Sequence, residues 1–156
     1  MTDEHDLKRD FWTAFADSPF VFVQRDADPH QAIPMTAQLD RNANGAIWFF
    51  HSRTGPLAAG GPATATLAAK DHRLFARFTG NLTEENDRAC FEKHWAPAVG
   101  AWFPGGKDDP NLLMLRMDLG QAEIWNSDLG FIDTTRMLLG FEVEEEAREE
   151  HVETAL

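Results

Sequence analysis

The sequence contains no tyrosine and one cysteine, Cys90, among 156 residues. A lone cysteine excludes a disulfide framework within the chain. Basic residues are scarce: 14 Lys and Arg stand against 26 Asp and Glu, giving a formal net charge of −12. Nucleic-acid phosphates and anionic lipid surfaces are bound through clustered Lys and Arg, so neither partner is expected. No apolar run approaches the roughly 18 residues that mark a membrane-spanning helix. The opening residues, MTDEHDLKRD, are charged and contain no apolar signal core, so a cytoplasmic location is expected.

Signatures of common chemistries are equally sparse. The six His residues show no H-x-H or H-E-x-x-H spacing, so no metal site is expected. Ser18 and Ser52 lie outside any G-x-S-x-G elbow. The stretch AWFPGGKDDP (101–110) has the outline of a phosphate-binding loop. However, Ala101 and Asp108 stand where Gly and Ser or Thr are required, and a strand follows the loop instead of preceding it. Asp108-Asp109-Pro110 reads instead as a turn whose carboxylates accept backbone N–H bonds. Cys90 falls on a predicted helix and reads as a structural thiol. No residue has a partner at a spacing diagnostic of catalysis, and none is assigned a catalytic role.

Hydrophobic residues make up 43% of the chain, with twelve Phe and five Trp, which is a globular composition of one-domain size. Leu7, Phe11 and Phe15 recur every four residues and predict a helix over 3–16, with Thr2 as N-cap and Asp3 and Glu4 at its positive end. Strands are predicted at 20–24, 33–39, 45–52, 62–69 and 73–80, with an Asn- and Gly-rich turn at 40–45. A helix is expected from Thr83 to Trp95 and a long loop at 97–111. A hairpin turning at Gly120 is expected over 112–119 and 121–126, and residues 131–139 read as either helix or strand. This is a mainly β, α+β pattern of six or seven antiparallel strands that can close into a barrel with flanking helices. Residues 142–156 hold seven Glu and one Arg, half of the net charge, and read as a solvated helix or frayed end, or else as a docking segment.

The stretch IWFFHSRTGPLAAG (47–60) runs an aromatic strand into a hydroxyl-bearing Gly/Pro turn. Alternation sends Ile47, Phe49 and His51 to one side and Trp48, Phe50 and Ser52 to the other. Two readings are open. The rings pack as core on both faces, or strand and turn together hold a flat ligand with a polar tail.

Five segments in order, PMTAQLD (34–40), IWFF (47–50), KDHRLFARFTGNL (70–82), AWFPGGKDDPNLLMLRMD (101–118) and AEIW (122–125), resemble the general stress protein branch of the pyridoxamine 5'-phosphate oxidase-like family. The resemblance runs from about Asp10 to Gly140. It implies an FMN-binding split β-barrel over residues 1–141 followed by the acidic tail at 142–156. It also implies a homodimer with the flavin in a groove between subunits. FMN is the expected cofactor, with FAD as the alternative and a nicotinamide as candidate donor. Carried over by position, Ile33, Pro34, Met35 and Thr36 would line the ring and offer backbone polar groups, and Phe49, Phe50 and His51 would form the neighbouring strand. Ser52, Arg53 and the turn to Leu57 would approach the ribityl-phosphate, and Trp102 and Trp125 could close the site. Relatives commonly carry Arg where this chain has Ile33 and Lys where it has Leu57, which leaves Arg53, Lys70 and Arg77 as the cations available to a phosphate. The implied activity is a flavin-dependent oxidoreduction of a small molecule. Pyridoxamine phosphate oxidation itself is not expected, because basic residues for a second anion site are not apparent. The competing expectation is a stress protein that holds flavin without turnover, or a barrel that has lost it.

Overall fold

The computed structural model describes residues 4–40 and 45–126 in full and the backbone of 133–138 and 154–155. Helix α1 spans Glu4–Asp17, and its buried face is the predicted Leu7, Phe11 and Phe15. Phe11 meets Phe78 edge-on at 5.6 Å and Phe15 lies 5.7 Å from the same ring, so α1 seals the main core. Each such ring, fully buried, contributes about 1.5–3 kcal/mol through removal from water. The expected N-cap, Thr2, lies outside the described residues.

Six strands form the barrel: β1 (Phe20–Arg25), β2 (Ile33–Thr36), β3 (Ala46–Ser52), β4 (Gly61–Ala68), β5 (Leu74–Glu84) and β6 (Leu112–Asn126). Their order is β2-β1-β4-β5-β6-β3, all pairs antiparallel. The circle closes at one point, where Gln38 and Trp48 exchange backbone hydrogen bonds of 2.7 and 3.0 Å. The barrel expectation is therefore met. Strands β7 (Asp133–Leu138) and β8 (Thr154–Ala155) also pair with β6, which settles the ambiguous 131–139 segment as strand in its described part. The rest of the acidic tail lies outside the described residues, as do positions 41–44 of the predicted turn. No described helix is long and apolar enough to cross a membrane.

Two expectations are corrected. Gly120 is not a hairpin turn: β6 runs unbroken for 15 residues through it. Between the pairs Phe78↔Ala122 and Gly80↔Leu119, β6 carries two residues against one on β5, which is a β-bulge. Thr79 Oγ1 fills the irregularity, taking the Gln121 N–H at 3.2 Å. The bulge also brings backbones close, since a Cβ on Gly80 would lie 2.5 Å from the Asp118 carbonyl oxygen. The second correction concerns Thr83 and Glu84, which extend β5 in register with Arg116 and Leu115. Helix α2 starts only at Arg88 and ends at His94, capped by the Asp87 carboxylate on the Ala89 N–H. The expected 97–111 loop contains a short helix α3 (Pro97–Gly100) and a single 3-10 turn (Gly106–Asp108).

Alternation along β3 divides the rings between two cores. Ile47 and Phe49 join the barrel interior, while Trp48 and Phe50 join Phe91, Trp95, Phe103, Leu112 and Met114 beneath α2.

Candidate functional site

Beyond the Gln38–Trp48 bridge, the same antiparallel register would set Thr36 opposite Phe50 and Pro34 opposite Ser52. Among the described residues no ladder forms there: β2 pairs with β1 and β3 pairs with β6. The two strands part, and the barrel is split at that point. β2 thus ends the strand order with its second edge facing the split. Its backbone polar groups on that edge are available to a ligand. Pro34 and Thr36 are exposed, while Ile33 and Met35 lie half-buried against the main core.

The turn after β3 is built from polar groups that satisfy one another. Ser52 Oγ lies 3.0 Å from Thr54 Oγ1, donates to Asn111 Oδ1 at 3.1 Å, and accepts the Thr54 N–H at 3.2 Å. The Arg53 N–H donates to the Asn111 carbonyl. Asn111 arrives from 59 positions along the chain and has no signal in local periodicity. His51 organises the turn from inside: its Nε2 accepts the Leu57 N–H at 3.1 Å, so the neutral ring carries its proton on Nδ1. Burial pushes the His51 pKa below the ordinary 6.5, with a backbone hydrogen bond to Gly55 opposing in part. Gly55 is required there because any Cβ would lie 2.4 Å from His51 Nε2.

The other carried-over residues do not all reach the split. Phe49 and Leu57 are fully enclosed in the main core and present no surface. Leu57 stands in the turn but points inward because His51 draws in its N–H. Phe50 is half-buried, edge-on to Phe91 at 5.6 Å and Trp95 at 5.7 Å. Trp102 is 82% exposed, although Phe103 beside it is buried and Lys107 is tied to Glu92 at 2.6 Å. Trp125 lies on the outer face of β6 with the Arg77 guanidinium 5.6 Å from its ring centre. The three candidate cations separate clearly. Lys70 pairs with Asp17 on α1, and Arg77 pairs with Glu123 beside Trp125. Arg53 stands in the polar turn, where it meets Glu84 at 2.8 Å.

Asp109 does what the sequence suggests, its carboxylate accepting the Asn111 and Gly105 N–H groups, which hold its pKa below the usual range. Burial raises the Cys90 thiol to about 11, with Glu85 adding to the shift, so it stays protonated at neutral pH. Among the described residues no group of three His, Cys, Asp or Glu is placed to hold a metal ion.

Six antiparallel strands closed at one bridge and parted beside a polar turn define a split β-barrel. The chain belongs to the family described as Pyridoxamine 5'-phosphate oxidase like, which matches residues 6–147. It is similar to the general stress FMN/FAD binding protein of the phytopathogen Xanthomonas citri, at 36% identity, covering 90% of this chain and 98% of that one, with a TM-score of 0.74. A general stress family protein of Xanthomonas campestris pv. campestris matches at 36% identity over 92% and 99% of the two chains, TM-score 0.72. A general stress protein 26 of Jannaschia sp. CCS1 matches at 28% identity over 81% and 82%, TM-score 0.71. No curated protein matches the chain.

Proposed function

We propose that this protein binds FMN where β2 parts from β3, as a homodimer, and acts as a flavin-dependent oxidoreductase on a small molecule. FAD is the alternative flavin and a nicotinamide the candidate donor. The observation that carries the reading is the 36% identity, over 90% of the chain, to a protein described as binding FMN and FAD. The geometry fits a flat ring with an anionic tail: an edge strand with available backbone groups on one side, and hydroxyls, an amide and an arginine at the end of the other. In this arrangement Ile33 to Thr36 lie against the ring, Ser52, Arg53 and Thr54 meet the tail, and exposed Trp102 covers the site. Phe49 and Leu57 form the wall behind it. A bound flavin supplies the redox chemistry, and the chain supplies binding, orientation and electrostatics.

The outer face of β1 supports the dimer. Phe20 is 62% and Phe22 54% exposed, in register with Thr36 and Pro34 on β2. Large apolar side chains left in water beside a binding strand suit a subunit contact that would continue into the site. Titration of FMN and FAD into the purified protein, followed by flavin fluorescence, tests the reading. Micromolar or tighter binding supports it, and no binding up to about a millimolar, roughly −4 kcal/mol, rejects it. Light scattering reports the dimer, and the rate of flavin bleaching by NADH or NADPH separates an enzyme from a carrier.

A further inference from the structure

We propose that Glu84 sets the phosphate preference of the site by holding Arg53 in an internal ion pair, which a phosphomonoester tail has to displace. The inference rests on the flavin reading above and concerns how strongly the site distinguishes a phosphorylated from an unphosphorylated flavin. Arg53 follows Phe49 and His51 in the inward series of β3, and Glu84 follows Leu82 in that of β5. β6 lies between these strands. Both side chains therefore emerge at the same end of the barrel and join across β6, Arg53 Nη2 to Glu84 Oε1, at 2.8 Å.

The pair is 48% and 41% exposed, so water screens it and it adds little to the fold. Its effect on an incoming anion is larger than its effect on stability. Of the three candidate cations, Arg53, Lys70 and Arg77, Arg53 alone stands beside the Ser52, Thr54 and Asn111 cluster, and its charge is already answered by a carboxylate. A dianionic phosphate gains Arg53 only by displacing Glu84, and then feels that carboxylate as a nearby like charge. The ribityl chain and ring feel neither. Native protein should therefore favour FMN over riboflavin only weakly.

The test measures FMN and riboflavin dissociation constants by fluorescence titration for the native protein, Glu84→Gln, the Arg53→Gln/Glu84→Gln double variant, and Asp6→Asn. Asp6→Asn makes the same charge change in an α1 ion pair with Arg9, on a helix with no candidate site residue. Glu84→Gln should tighten FMN roughly three- to tenfold while riboflavin stays within about twofold, as expected for a partly screened charge contact. The gain should vanish in the double variant, shrink as salt rises, and be absent in Asp6→Asn. If both flavins bind and Glu84→Gln leaves their ratio unchanged, or weakens FMN, the inference is overturned and the flavin site stands. If no variant binds either flavin, the site and the inference fall together.

Discussion

The family resemblance implies a lysine that would meet the flavin phosphate at the turn position Leu57 occupies, so Leu57→Lys looks like a restoration. The structure says otherwise. Leu57 is fully buried in the main core, and its N–H is held from inside by His51. Losing the buried leucine surface costs about 1.5–3 kcal/mol. Enclosing an ammonium depresses its pKa by at least about two units, at roughly 1.4 kcal/mol per unit. The sum, about 4–6 kcal/mol, is a large share of the roughly 5–15 kcal/mol that holds a domain folded. Urea unfolding of Leu57→Lys beside Leu57→Met, a volume-conserving swap costing less than about 1.5 kcal/mol, isolates the charge. The sign with pH is diagnostic. A lysine whose folded pKa lies below its unfolded value leaves the unfolded state with more protons, so the variant should gain stability as pH rises toward about 10. A Leu57→Lys protein within about 1 kcal/mol of native, flat with pH and tighter for FMN, would refute the reasoning. The turn would then open outward, with position 57 at the phosphate.

Gly80→Ala should cost about 2–4 kcal/mol, because its Cβ meets the Asp118 carbonyl oxygen at 2.5 Å, where only backbone can yield. Gly100→Ala, whose Cβ would lie 3.6 Å from Trp95, should be neutral or slightly stabilising in the same unfolding assay. His51 and His94 both have pKa values lowered chiefly by burial, so the unfolded chain takes up protons first. Their contribution is complete above the ordinary value of 6.5 and is lost as pH falls below it. His51→Gln, which keeps an acceptor for the Leu57 N–H, should flatten the stability profile between pH 7.5 and 5, and an unchanged slope would count against a buried neutral ring. Trp102→Ala should leave the unfolding midpoint unchanged, since the ring is 82% exposed, while lowering flavin affinity. A fall in stability without a change in affinity would place the ring in packing instead.

What local pattern could reveal was mostly geometry along single elements. The four-residue spacing of Leu7, Phe11 and Phe15 found α1 and its buried face. Alternation in β3 separated Phe49 from Phe50 correctly: Phe49 packs in the barrel interior and Phe50 against the second cluster. Glu84 looked like the acidic first turn of a helix because pairing with β6, a tertiary effect, outweighs local preference there. The proposed site was indicated through family resemblance as a set of segments. Its shape was not, because the split exists only once β1 separates β2 from β4 and the Gln38–Trp48 bridge fixes where β2 and β3 part.

The error at Gly120 did have a signal in the sequence. Along β6 the inward residues are Leu113, Leu115, Met117 and Leu119, then Ala122 and Ile124, a change from odd to even positions. A hairpin reverses the chain, and nothing obliges its two arms to share a face by numbering. One strand that changes parity without reversing must contain an extra residue, which is what a bulge is. Gly120 sits at that residue, with the space for a Cβ limited to 3.1 Å by Thr79 Oγ1. β6 serves the candidate site through the part before the bulge. Its first half pairs with β3 below the polar turn, and its middle pairs with the end of β5. That shared pairing on residues 112–119 brings Asn111 to Ser52 and lets Arg53 reach Glu84 across one strand. Beyond the bulge Ala122–Asn126 go on to pair with Leu74–Phe78, so the strand that carries the site's contacts also spans the whole of β5.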